Sequence, residues 1–139
     1  MEITANALQT VLENQNVLFT DDPITGNPSI IHRGGSGLIT LRGITTQCRA
    51  RFKVSFGANI AIPTGGEVGP ISLAIAVEGE PMGPTTMIIT PAAVENFFNV
   101  ASNIYIDVPK GCCVSVGIKN ISTQSILVQN ANLIAERVA

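Results

Sequence analysis

The chain has 139 residues, a formal net charge of −2, 45% hydrophobic residues and only 13% charged ones. That length predicts one domain, and charge this sparse leaves apolar surface for another subunit to cover. The slightly acidic balance disfavours a general nucleic-acid binder. A single His argues against most proton-transfer enzymes.

Met1-Glu2-Ile3-Thr4-Ala5-Asn6 has neither the basic nor the apolar region of a signal peptide. No apolar run is long enough to span a bilayer. Cys48, Cys112 and Cys113 read as free thiols of a reducing compartment. The expectation is synthesis in a cytoplasm, with neither membrane nor nucleic acid as partner.

In chain order, Ala5, Leu8 and Leu12 with Val11 beside them predict one short helix over residues 4–14. After Asn16 the pattern turns to strands. Val17 to Thr20 reads as a short strand, and Asp21-Asp22-Pro23 and Thr25-Gly26-Asn27-Pro28 read as turns. Ser29–His32 and Leu38–Arg42 are strands flanking a glycine-rich loop. Residues 49–62 alternate clearly: Ala50, Phe52, Val54 and Phe56 point one way and Arg49, Arg51 and Lys53 the other, with a bulge predicted at Gly57. Ile71, Leu73, Ile75 and Val77 mark the next strand, and Thr85 to Thr90 another. Ile104, Ile106 and Val108, then Cys112, Val114, Val116 and Ile118, and finally residues 125–138 complete the set. About ten strands at roughly ten-residue spacing predict an all-β sandwich or barrel.

The strand order resembles the tumour-necrosis-factor-like jelly roll, in the version shared by complement-type globular heads and bacterial exosporium collagen-like protein heads. The residues that carry this are Val17-Leu18-Phe19, Gly37-Leu38-Ile39-Thr40-Leu41, Ala50-Arg51-Phe52-Lys53-Val54-Ser55-Phe56 and Ile75-Ala76-Val77-Glu78-Gly79. The stretch Pro109-Lys110-Gly111-Cys112-Cys113-Val114-Ser115-Val116 leading to Asn120-Ile121-Ser122, and the ending Ala131 to Ala139, complete the match over residues 16–139. The family's Gly-Asp turn is Gly111-Cys112 here and its Asn-Gly is Glu78-Gly79, so a calcium site at those positions has no support.

The resemblance implies a jelly-roll β-sandwich of about ten antiparallel strands that forms a homotrimer. Residues 1–15 would be an N-terminal arm, helical or extended, and residues 16–139 the jelly-roll domain. By analogy of fold alone, it implies a phage or prophage virion protein, a capsid decoration or head fibre made in the host cytoplasm. The arm would attach to the major capsid protein or another virion protein through Leu8, Val11 and Leu12, and truncating it would leave the head folded. Leu127 and Leu133 would line the trimer interface as outward residues. The alternative is a bacterial surface, spore-coat or phage adhesin head that binds a carbohydrate or protein through loops 63–69 and 79–84.

No constellation predicts a catalytic residue, cofactor or metal. His32 lacks a second His to ligate a metal. In Cys112-Cys113 the first thiol is predicted buried and the second exposed, facing opposite ways. Gly34-Gly35-Ser36-Gly37 lacks the Lys and helix of a phosphate loop. Asp21, Asp22, Glu67, Glu78, Glu80, Glu95 and Asp107 are dispersed. Phe97-Phe98 reads as a loop anchor or a binding tip. The sharpest local feature is Arg49, Arg51 and Lys53, three cations on one strand face that predict either a solvated stripe or an electrostatic contact with an acidic partner.

Overall fold

The computed structural model describes residues 1–25 and 28–139. Alternation of inward and outward side chains builds twelve strands: β1 (Glu2–Ala5), β2 (Gln9–Val11), β3 (Asp21–Ile24), β4 (Ile30–His32), β5 (Leu38–Arg42), β6 (Arg49–Ala61), β7 (Ile71–Val77), β8 (Glu80–Pro81), β9 (Met87–Ile89), β10 (Phe98–Pro109), β11 (Cys113–Asn120) and β12 (Ile126–Arg137). One antiparallel sheet runs β10-β6-β12-β1-β3, with β2 also on β12. The other runs β4-β5-β11-β7-β8, with β9 also on β7. The two form a jelly-roll sandwich. Its core holds Phe19, Phe52, Ile60, Ile62, Leu73, Ile75, Ile118 and Ile126, all fully buried. The accessible surface of 6910 Å² matches the about 7,000 Å² expected of a folded chain of this mass.

The helix predicted over residues 4–14 does not form. Ile3 and Ala5 point into the core and Glu2 and Thr4 away from it, a period of two. β1 lies between β12 and β3, pairing Ile3 with Leu133 and Ala5 with Ala131. A short isolated helix is marginal, whereas this slot satisfies the backbone of four residues on both sides. Residues 1–11 are thus woven into the sheet rather than held off as an arm.

Other local expectations also shift. Val17 to Thr20 is not a regular strand. It is an extended crossing in which Val17 N–H donates to Ile118 O and Thr20 N–H to Thr4 O, tying one sheet to the other. Gly57 carries no bulge, since β6 alternates without a break. The register shift lies opposite, in β12 between Gln129 and Asn132, where Asn130 takes the left-handed φ of 56°. Residues 83–85 form a 3-10 turn, and β9 begins only at Met87. Cys112, expected inside, lies in the turn before β11 and is exposed; Cys48 and Cys113 are exposed too. The turn at Gly26 and Asn27 lies outside the described residues.

Asn120 anchors the end of the sandwich. It is fully buried, its Nδ2 donates to Val11 O and Gln124 O, each at 3.0 Å, and its Oδ1 accepts from Ser122 N–H at 2.9 Å. Asn120→Ala leaves three backbone groups without these partners. A cost on the order of 3 kcal/mol, and a melting temperature lower by about 10 °C, is expected in a thermal denaturation series.

Candidate surface for self-association

The outward face of β10, β6 and β12 brings together residues far apart in sequence. Antiparallel pairing sets Asp107 opposite Arg51, Tyr105 opposite Lys53, Asn103 opposite Ser55, and Ala101 opposite Gly57. On the other side of β6, Lys53 faces Glu136 and Ser55 faces Ile134. The middle of this face is built from small side chains. Tyr105 (62% exposed) and Ile134 (41% exposed) stand on it as apolar groups open to solvent. β10 is the edge strand of its sheet, and twelve residues is long for an unprotected edge.

The cationic stripe is in place, but it is not three free charges. Arg51 Nε donates to Asp107 Oδ1 at 2.8 Å and its Nη2 to Oδ2 at 3.2 Å, while Arg49 Nη1 reaches Oδ1 at 3.5 Å. The Arg51 hydrogen bond holds the Asp107 carboxyl below its ordinary range, against the opposing effect of desolvation and with help from the Arg49 and Arg51 charges. The guanidinium of Arg51 is raised in turn, chiefly by the same hydrogen bond. Because the folded value of Asp107 is depressed, its contribution to stability is present above the usual aspartate range and lost as pH falls through that lower value. Wild type and Asp107→Asn should therefore differ in melting temperature near neutrality and converge at the acid end of a series from about pH 2 to 7. A constant gap across the series would show that the pair contributes nothing.

Beside the stripe runs a row of amides that the sequence reading did not single out. Asn99 Nδ2 donates to Asn59 Oδ1 at 3.2 Å, Asn59 Nδ2 to Asn130 Oδ1 at 3.1 Å, and Asn130 Nδ2 to Asn6 Oδ1. Four asparagines from β10, β6, β12 and the end of β1 thus form one head-to-tail chain. Only the alternation along β6, which turns Asn59 outward, was available as a signal.

The remaining candidates are dispersed. Leu8 and Leu12 are exposed, at 52% and 59%, but Val11 is 2% exposed and belongs to the core, so the three do not form one attachment face. Leu127 and Leu133 are corrected as well. They are 7% and 1% exposed and buried within the protomer, Leu133 in the core itself. The shift after Gln129 changes which residues of β12 face outward, leaving Ile134 exposed.

His32 is structural. Its side chain is fully buried, with Nδ1 2.6 Å from Asp22 Oδ1 and Nε2–H donating to Ser36 O at 2.9 Å. Phe19 meets the ring edge-on at 6.5 Å. Since β3 and β4 are the edge strands of their two sheets, this pair laces the sandwich along one side. Phe97 and Phe98 are partly exposed, at 37% and 44%. Among the described residues no group of three or more His, Cys, Asp or Glu side chains is placed to hold a metal ion.

The strand order and paired sheets define a jelly roll of the complement and tumour-necrosis-factor type. The globular domain of zebrafish complement 1qA protein superposes with a TM-score of 0.64 and 14% identity over 96% of this chain and 93% of that one. Murine APRIL superposes at 0.58 with 7% identity, covering 95% and 96% of the two chains. The EclA C-terminal domain, described as a sugar-binding protein, aligns more loosely at 0.45, with 11% identity over 95% of this chain and 79% of that one. No protein-family model and no curated protein sequence matches the chain. At these identities the likeness is one of fold.

Proposed function

We propose that the protein is a non-enzymatic structural head that works as a homotrimer and serves as a virion component of a phage or prophage. The observation that carries the self-association is the outward face of β10, β6 and β12. Its middle is built from small side chains with Tyr105 and Ile134 exposed on it, and at one end Arg51 and Asp107 pair with each other, in a chain with 13% charged residues. Such a surface gains free energy when a second copy covers it. Chains held around one axis present any outward contact three times, which raises the effective concentration at a symmetric site on a particle. Leu8 and Leu12, both exposed, are the remaining apolar candidates for that contact.

Two experiments test the reading. The native mass by light scattering reports the trimer. Sedimentation of the purified protein with and without virions of a phage that encodes it reports attachment. A protein that stays in the supernatant with those virions would refute the virion role and leave the self-association to be judged on its own measurement.

A further inference from the structure

Beyond self-association, we propose that the loops joining β6 to β7 and β11 to β12 form a binding site for a neutral oligosaccharide. Two adjoining concavities of about 340 and 400 Å³ open between these loops and share Glu67 and Gln124 as the ridge between them. Each lies within the range of roughly 300–1,000 Å³ usual for small-ligand sites.

The ridge is rigid. Glu67 N–H donates to Gln124 Oε1 at 3.0 Å, and Gln124 Nε2 donates back to Glu67 O at 2.7 Å. Gly66 is required at this clamp, because a Cβ there would meet Ile62 Cγ2 at 2.7 Å and Gln124 Oε1 at 2.8 Å. On the far wall Ser122 Oγ accepts from Ser72 N–H at 2.7 Å and donates to Ser72 O at 3.1 Å. Asn120 fixes the same turn from below. A ligand entering a site built this way loses little free energy to ordering it.

The chemistry of the lining selects the ligand class. Among the described residues, the Glu67 carboxylate and the hydroxyls of Thr64, Thr123 and Ser125 have no hydrogen-bond partner within the chain. Hydroxyls both donate and accept, and an ionised carboxylate accepts. Together they suit a ligand rich in hydroxyl groups. Ile88 and Val68, 63% and 57% exposed, stand at the second concavity and offer an apolar wall to the C–H face of a sugar ring. Neither concavity is lined by Lys, Arg or His, and Glu67 repels an anion, so acidic sugars and phosphates are disfavoured. Two linked concavities call for at least two sugar units.

The full-length protein is tested on an array of immobilised neutral and sialylated glycans. Free lactose, chitotriose and mannotriose are tested in parallel by saturation-transfer NMR. The array reports a surface glycan as the source and the free sugars a soluble one. Saturable binding of a neutral probe in either arm is expected. Glu67→Gln and Ile88→Asp, both at exposed positions, should each weaken it at least tenfold while the melting temperature and native mass stay at wild-type values. No saturable binding of any neutral probe, binding confined to sialylated glycans, or unchanged affinity in either variant would overturn the proposal. Native mass is measured on the same samples, so a failure here is separate from a failure of self-association.

Discussion

A chain lacking residues 1–15 is expected to lose its cooperative thermal transition and to aggregate on expression. β1 sits between two strands, with Glu2, Ile3, Thr4 and Ala5 paired to Ile134, Leu133, Asn132 and Ala131 on one side and β3 hydrogen-bonded on the other. Its removal opens the middle of the sheet, detaches β3 and bares the backbone of β12. β2 goes with it, exposing the pairing groups of Ile126, Leu127 and Val128. Three core side chains are lost, Ile3, Ala5 and Val11, each no more than 3% exposed. Truncating one buried Ile costs about 2–5 kcal/mol, and a domain of this size has a total stability of about 5–15 kcal/mol. Circular dichroism melts and gel filtration of the truncated chain check this. A soluble truncated protein with a sharp transition would show that the first strands are dispensable and would restore the reading of this segment as an arm.

The wild-type protein is expected to elute at the mass of three chains of 14.6 kDa, or 43.8 kDa, and Ser55→Arg at 14.6 kDa. Ser55 lies in the centre of the small-residue face, between Asn103 on β10 and Ile134 on β12. An arginine there puts a long charged side chain among the small ones at the middle of the face, and covering it removes that charge from water. At least a 100-fold weaker association is expected, equivalent to about 2.7 kcal/mol. The side chain of Ser55 points away from the core, so the monomer should keep its melting transition. Leu133→Ala, by contrast, should lower stability by roughly 2–5 kcal/mol without acting directly on association, because Leu133 is buried in its own chain. A wild-type mass of 14.6 kDa, or a Ser55→Arg variant that stays at 43.8 kDa, would remove this face from the interface.

The corrections share one cause. Leu127 and Leu133, six residues apart, share a face on an uninterrupted strand; Leu127 does alternate with the core residues Ile126 and Val128 but is buried all the same, whereas Leu133 lies in the core. The shift at Asn130 changes the face within β12, and it shows only in the pairing with β6. The helix expected over residues 4–14 rested on Ala5, Leu8 and Leu12. Their spacing fits a helical face, but three residues cannot outweigh the slot between β12 and β3. Cys112 fits the inward alternation of β11 on paper, yet it belongs to the turn at Pro109, whose carbonyl accepts its N–H.

The sequence by itself determined that the chain is all-β after Asn16, that the strands β6, β7, β10, β11 and β12 exist, that β6 and β7 turn Phe52, Val54, Leu73 and Ile75 inward, and that Arg49, Arg51 and Lys53 share a face. Those properties depend on a period of two and on nearby turn residues, which are local. Only the tertiary structure decided that the first five residues lie inside a sheet and that Asp22 reaches His32 across two sheet edges. It alone joined Asn99, Asn59, Asn130 and Asn6 into one row, and set the loops at Glu67 and Gln124 side by side. Each of these depends on pairing between strands tens of residues apart, whose partners are chosen by how the whole core closes and not by any stretch of the chain alone.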